Sequence, residues 1–318
     1  MSRLLAFPLL AVSILATACQ KSAPDSRPSA QPVGKPVVTA PPPVVPRTAI
    51  GTPPAPPRDT LALAHNDPPG INHLTRADRL HDEGDTVGAL VEARKALADD
   101  GQDVNALEMV ARLAKASGQV TLAAEAFERL GRLDAEDAVP LVQAARMRLA
   151  AGASEAAEAL ARTALARDDE NVEAWQALGR SQLGRGALAE AIESLEEART
   201  LAPSHGWVLN NLGFAYLRAN RNTEALEVLE RAVELLPEAA VVHNNLGVAR
   251  ERTGDVEGAR GAYARSSVLA PRYVKAQING QRTAMVRSVS DGGVEDAHAP
   301  ADDDAVGAEN GTSPRSDR

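Results

Sequence analysis

Between Gly70 and Tyr273 the sequence repeats itself every 34 residues, six times over, without an insertion. Position twenty of the copies reads Ala89, Ala123, Ala157, Ala191, Ala225 and Ala259. Position eight reads Ala77, Ala111, Ala145, Gly179, Gly213 and Gly247, and position twenty-seven Ala96, Leu130, Ala164, Ala198, Ala232 and Ser266. A fixed period of this length dictates a stack of similar units, each of which buries its apolar face against its neighbours.

Each column has a physical reason. Packed helices lie roughly 8–10 Å apart, so small residues at positions eight, twenty and twenty-seven allow close approach. Position fifteen reads Gly84, Gly118, Gly152, Gly186, Asn220 and Gly254. These are the residue types that adopt a left-handed helix ending. Positions four, seven and twenty-four carry larger apolar groups, as in Leu209, Leu212 and Leu229. The apolar spacing is helical, and Pro203, Pro237 and Pro271 end the second helix of their copies. The expected fold class is all-α, with two helices per copy in segments 70–103, 104–137, 138–171, 172–205, 206–239 and 240–273. A further helix over 274–288 would cap the stack, with Val274, Ile278 and Met285 turned inward.

These columns resemble the tetratricopeptide repeat family, most closely in Trp175-x-x-Leu178-Gly179, Leu212-Gly213-x-x-Tyr216, Ala225, Ala232 and Pro237. Copies one to three depart from the pattern: Arg76 stands where a leucine is usual, and Gly101, Ala135 and Asp169 replace the proline. The resemblance implies a right-handed solenoid of helix-turn-helix units, and a scaffold that binds other proteins.

The flanks are different in kind. Met1–Ala18 has Arg3, an apolar run from Leu4 to Leu15 and a small-residue end, which is the pattern of a secretory signal peptide. The stretch Leu15-Ala16-Thr17-Ala18-Cys19 resembles the lipobox of bacterial lipoproteins. That resemblance implies an acylated Cys19, with Gln20 after it as an outer-membrane address and the repeats facing the periplasm. Cys19 is the single cysteine, so no intramolecular disulfide is available. Residues 20–69 hold fourteen of the 21 prolines and are read, with Cys19, as an extended linker over 19–69. At ~3.1 Å per residue such a linker spans at most ~150 Å. Residues 289–318, with Asp302-Asp303-Asp304, are read as a disordered acidic tail.

Chemistry-bearing motifs are sparse. No paired cysteines, H-E-x-x-H or phosphate loop occurs, so no enzyme, metal site, cofactor or small-molecule substrate is expected. His73 and His243 fall at position four, where packing roles are expected. Ser154, after Gly152-Ala153, is read as a helix N-cap. A net charge of −9 disfavours nucleic acid.

The expected working surface is the concave face, which in the resembled family is lined by positions two, five, six, nine, twelve and thirteen. Position nine gives a ladder of Arg112, Arg146 and Arg180, suited to an acidic segment. Position six gives Asn211 and Asn245, and similar asparagines in related domains hold a peptide backbone. Phe214, with Leu183, Leu217 and Trp207, would add an apolar patch. The family's clamp for a C-terminal carboxylate is not matched by Leu74/Asp78 or Glu108/Arg112. The resulting expectation is an outer-membrane scaffold binding a peptide or helix of an envelope-complex subunit. Its layout is similar to the pilotin-like lipoproteins of pilus and secretion systems. Two other readings are a tether to cell wall or a wall-bound enzyme, and a groove occupied by the chain's own tail.

Overall fold

The computed structural model of the protein describes residues 60–290. The signal peptide, Cys19, the linker up to residue 59 and the tail from residue 291 lie outside the described residues.

Among the described residues there are thirteen α-helices and no strand. Twelve form pairs in register with the six copies. These are α1 (His73–Asp82) with α2 (Thr86–Asp99), α3 (Val104–Ala116) with α4 (Val120–Leu133), and α5 (Val139–Ala150) with α6 (Ser154–Leu165). They continue as α7 (Val172–Arg185) with α8 (Leu188–Leu201), α9 (Gly206–Arg218) with α10 (Asn222–Leu235), and α11 (Ala240–Arg252) with α12 (Val256–Leu269). The last helix, α13, spans Val274–Ser290.

The repeated columns do what their size dictates. All six position-twenty alanines are fully buried. A methyl group added at Gly213 would overlap Leu229 Cγ and come within 2.7 Å of its Cδ2, so position eight is the point where paired helices nearly touch. Every residue of the position-fifteen column has positive φ, from 57° at Asn220 to 93° at Gly254. Side chains of Asn72, Asp85, Asp103, Asn171 and Asp255 accept backbone N–H bonds at helix starts. Ser154 is not among these caps. Ala153 occupies the cap position of α6 without a side-chain bond, and Ser154 is the first helical residue.

Each helix packs on the next in sequence, and from α5 onward successive first helices also touch one another: α5 with α7, α7 with α9, α9 with α11, α11 with α13. Second helices make no comparable contacts among themselves. The first helices therefore line the inner, concave side of the stack, and the second helices the outer side.

Two expectations are corrected at the ends. The ordered part begins before Gly70. Leu61 is buried, the Leu63 N–H donates to the Arg94 carbonyl at 2.9 Å, and Arg94 donates back to the Leu61 and Thr60 carbonyls at 3.0 Å. Lys95 Nζ donates to Asp67 Oδ2 at 2.7 Å. Residues 60–69 are thus fastened to α2, because their extended backbone supplies polar groups that α2 satisfies. At the other end, Val274, Ile278 and Met285 are 58%, 54% and 66% exposed, while Ala276, Asn279 and Thr283 face inward. The helix keeps the register of the first helices, so the small and polar residues fall on the buried side.

Candidate protein-binding groove

At the first two repeats the concave side opens into a cleft of about 560 Å³, lined by Leu74, Asp78, Asn105, Glu108, Met109 and Arg112. These residues stand at positions two, five, six and nine of copies one and two. The period thus delivers the same helix face twice, and the gap between α1 and α3 becomes a pocket. Its walls carry both signs of charge: Asp78 and Glu108 against an exposed Arg112.

The basic character strengthens toward the third copy. Lys115, position twelve of α3, donates to Gln143 Oε1 of α5 at 2.9 Å. Burial first, and then the charge of Arg146, push the Lys115 ammonium below the ordinary lysine value. Two cations from neighbouring first helices are therefore held near each other on half-buried ground. Arg180 follows at the same position of α7, also half-buried. Lys115 and Gln143 were not singled out in the sequence. Extending the position-nine comparison to positions six and twelve brings both onto the same face.

The C-terminal half differs from expectation. Asn211 and Asn245 are fully buried, so neither offers its amide to the groove surface. Instead Asn245 Nδ2 donates to Asn210 Oδ1 at 3.0 Å, and Asn279 Nδ2 donates to Asn244 Oδ1 at 3.1 Å. Both bonds join position six of one first helix to position five of the one before. An amide supplies donor and acceptor together, which is what an inter-repeat fastener needs. Phe214 is only 8% exposed and belongs to a core cluster with Leu183, Leu217 and Val248. Trp207 packs against a cluster of Leu209, Ala232 and Val242. The apolar patch expected on the groove is core, because the first helices there touch closely enough to cover it.

Comparison with known sequences and folds agrees with this geometry. Sequence models of the tetratricopeptide repeat match residues 142–205 and 182–244. Residues 142–244 are tetratricopeptide repeats. No curated protein matches the sequence. In solved structures, a chain of the APC/C hetero-tetramer Cut9–Hcn1 is 17% identical over 66% of this chain, with a TM-score of 0.55. The match spans 42% of that chain's length. PilF of Pseudomonas aeruginosa is 17% identical over 67% of this chain and 96% of its own, with a TM-score of 0.53. A tetratricopeptide repeat protein of Parabacteroides merdae is 15% identical over 67% of this chain and 83% of its own, with a TM-score of 0.52. At these identities the likeness is one of fold. The helix pairs share the fold of these solenoids, and the concave side just described is the face that the first helices present.

Proposed function

We propose that this chain is a non-enzymatic scaffold whose concave face binds an acidic segment of another protein, with the repeats held at a bacterial outer membrane through an acylated Cys19. The observation that carries the binding reading is the pairing of Lys115 with Arg146 beside the cleft at Arg112. Lys115, Arg146 and the exposed Arg112 gather positive charge on one stretch of the concave side, which suits an anionic group of a partner. Arg180 extends the same row by one repeat. The apolar contribution once assigned to Phe214 falls instead to Leu74 and Met109, which line the cleft.

The anchor rests on sequence alone: Met1–Ala18, then Cys19, then a proline-rich run long enough to carry the repeats away from a membrane. A role in pilus, secretion or other envelope assembly follows from the layout, which is similar to pilotin-like lipoproteins. The fold shared with PilF accords with the repeat half of that layout.

The test is crosslinking of the mature protein in its native envelope, with the captured subunit identified by mass spectrometry and its affinity then measured for Lys115→Glu/Arg146→Glu. The reading expects binding at least tenfold weaker and a strong dependence on salt in the wild type. Unchanged affinity would refute it. For the anchor, mass spectrometry of the mature N-terminus should find acyl mass on Cys19, and Cys19→Ser should release the protein from the membrane fraction. An unmodified N-terminus at another residue would refute the anchor without touching the groove.

A further inference from the structure

At the opposite edge of the first repeat, two histidines and an aspartate come together in a way that neither the family nor the groove explains. His65 lies on the segment fastened to α2, His73 opens α1, and Asp99 ends α2. His65 Nε2 is 3.2 Å from Asp99 Oδ1, and His73 Nε2 is 3.9 Å from Asp99 Oδ2. One donor atom from each of the three residues lies within 4.8 Å of the other two. The rings meet edge to face with centroids 4.3 Å apart.

His73 is also backed by a carboxylate at its other nitrogen. His73 Nδ1 is 2.8 Å from Glu92 Oε2, both side chains being buried. The Glu92 carboxylate accepts the Nδ1 proton of His73, which leaves the Nε2 lone pair on the side of Asp99. His65 Nδ1 is 3.7 Å from Asp67 Oδ2 and also accepts from the Asp67 backbone N–H at 3.3 Å. Asp67 in turn takes an ion pair from Lys95 at 2.7 Å.

We infer that His65, His73 and Asp99 form a binding site for a divalent ion of the zinc class, with Glu92 orienting the imidazole of His73. The donor set of two imidazole nitrogens and one carboxylate suits zinc, and leaves the fourth tetrahedral position to water. Bond lengths of ~2.0–2.1 Å place tetrahedral ligand atoms ~3.4 Å apart, so three donors within 4.8 Å of one another need only draw together slightly around the ion. The Glu92 carboxylate behind His73 is the arrangement that fixes the tautomer of a ligating histidine and raises its basicity. On binding, the proton of His65 moves from Nε2 to Nδ1, and the ring gives up the bond that Nδ1 accepts from the Asp67 backbone N–H. His73 already has its proton on the Glu92 side, so no net proton is released from neutral rings. Three carboxylates (Asp67, Glu92 and Asp99) face two cations, Lys95 and Arg76, so the surroundings carry one net negative charge before the ion arrives. The ion would clip residues 65–67, at the end of the proline-rich run, onto the first helical hairpin.

The test is calorimetric titration of zinc chloride into the full-length chain, with thermal melts and the visible spectrum of the cobalt(II) form as second readouts. The expected results are one ion per chain, a melting temperature that rises with zinc, and intense tetrahedral cobalt bands. His65→Ala and Asp99→Asn should both abolish the stoichiometric site. Asp99 is 56% exposed, so its variant folds even if the other does not. Glu92→Gln should weaken binding by about 10- to 100-fold. No zinc uptake overturns the inference. So does uptake that is unchanged in His65→Ala and Asp99→Asn, which would place the metal on other histidines or on Cys19.

Discussion

The glycine at position eight is the residue on which the packing of the last two complete repeats turns. A Cβ at Gly247 would lie 2.6 Å from Tyr263 Cδ1, and Tyr263 is itself fully buried and bonded through its hydroxyl to Glu251 at 2.7 Å. Gly261 is in the adjacent helix with nothing within 4 Å of its Cβ direction. Gly247→Ala should therefore lose about 1–3 kcal/mol to overpacking despite better helix propensity. Gly261→Ala should gain about 0.5–1 kcal/mol. Urea denaturation of the two variants checks both signs. The small-residue columns were legible in the sequence because the space they fill recurs unchanged in every copy. The asparagines were not. Asn245 bonds to Asn210, 35 residues away, and that link crosses from one column to the next. Reading each column by itself therefore assigned Asn211 and Asn245 to a ligand, when both are fully buried and Asn245 bonds to the neighbouring helix.

The thirteenth helix shows the same logic over a whole element. Position three of the first helices reads Val208, Val242 and Ala276, all fully buried, and Asn279 continues the position-six asparagines. Register with the preceding helix, rather than the apolar residues of α13, decides which face is covered. Ile278→Ser should then change stability by less than ~0.5 kcal/mol, whereas Ala276→Leu should lose about 1–3 kcal/mol. Chemical denaturation distinguishes this from the inward Ile278 that hydrophobicity alone suggests. A second link between elements is electrostatic. Glu158 of α6 accepts from Arg162 at 2.8 Å and from Arg185 of α7. Burial pushes the Glu158 carboxyl up, but the two arginines outweigh it and hold it below the ordinary glutamate value of 4.5. A lowered folded-state value means that this contribution is intact above pH 4.5 and is lost as the pH falls through the folded value. Stability measured across that acid range should fall less steeply in Glu158→Gln than in the wild type. An equal slope would show the ion pairs to be neutral to folding.

At the scale of the whole molecule, each repeat is supported mainly by its two neighbours, and function lies on a surface that no single repeat forms. The all-α fold and the two-helix period were readable from the sequence, because six copies state the same rule six times. The start of the ordered part was hidden, because residues 60–69 have the composition of the proline-rich run while their backbone is bonded to Arg94. Of the groove, the shared register of Arg112, Arg146 and Arg180 was legible, while the cleft, which only Arg112 of the three lines, and the approach of Lys115 to Arg146 depend on how far apart successive first helices stand. Burial of Tyr216, together with its hydrogen bond to Glu196, pushes its hydroxyl up to about 12, so it stays a neutral donor between α9 and α8 throughout the ordinary pH range. This polar bond ties two neighbouring repeats. The central claim is that the concave side at the first three repeats is where another protein binds. The most direct measurement places a photoreactive residue at Arg112 and, in a second variant, at Glu197 on the outer helix α8, and compares crosslinked partners in the native envelope. The account predicts a defined crosslinked subunit from position 112, lost when Lys115 and Arg146 are reversed in charge, and none from position 197. The same partner from both positions, or a partner from 197 alone, would contradict it.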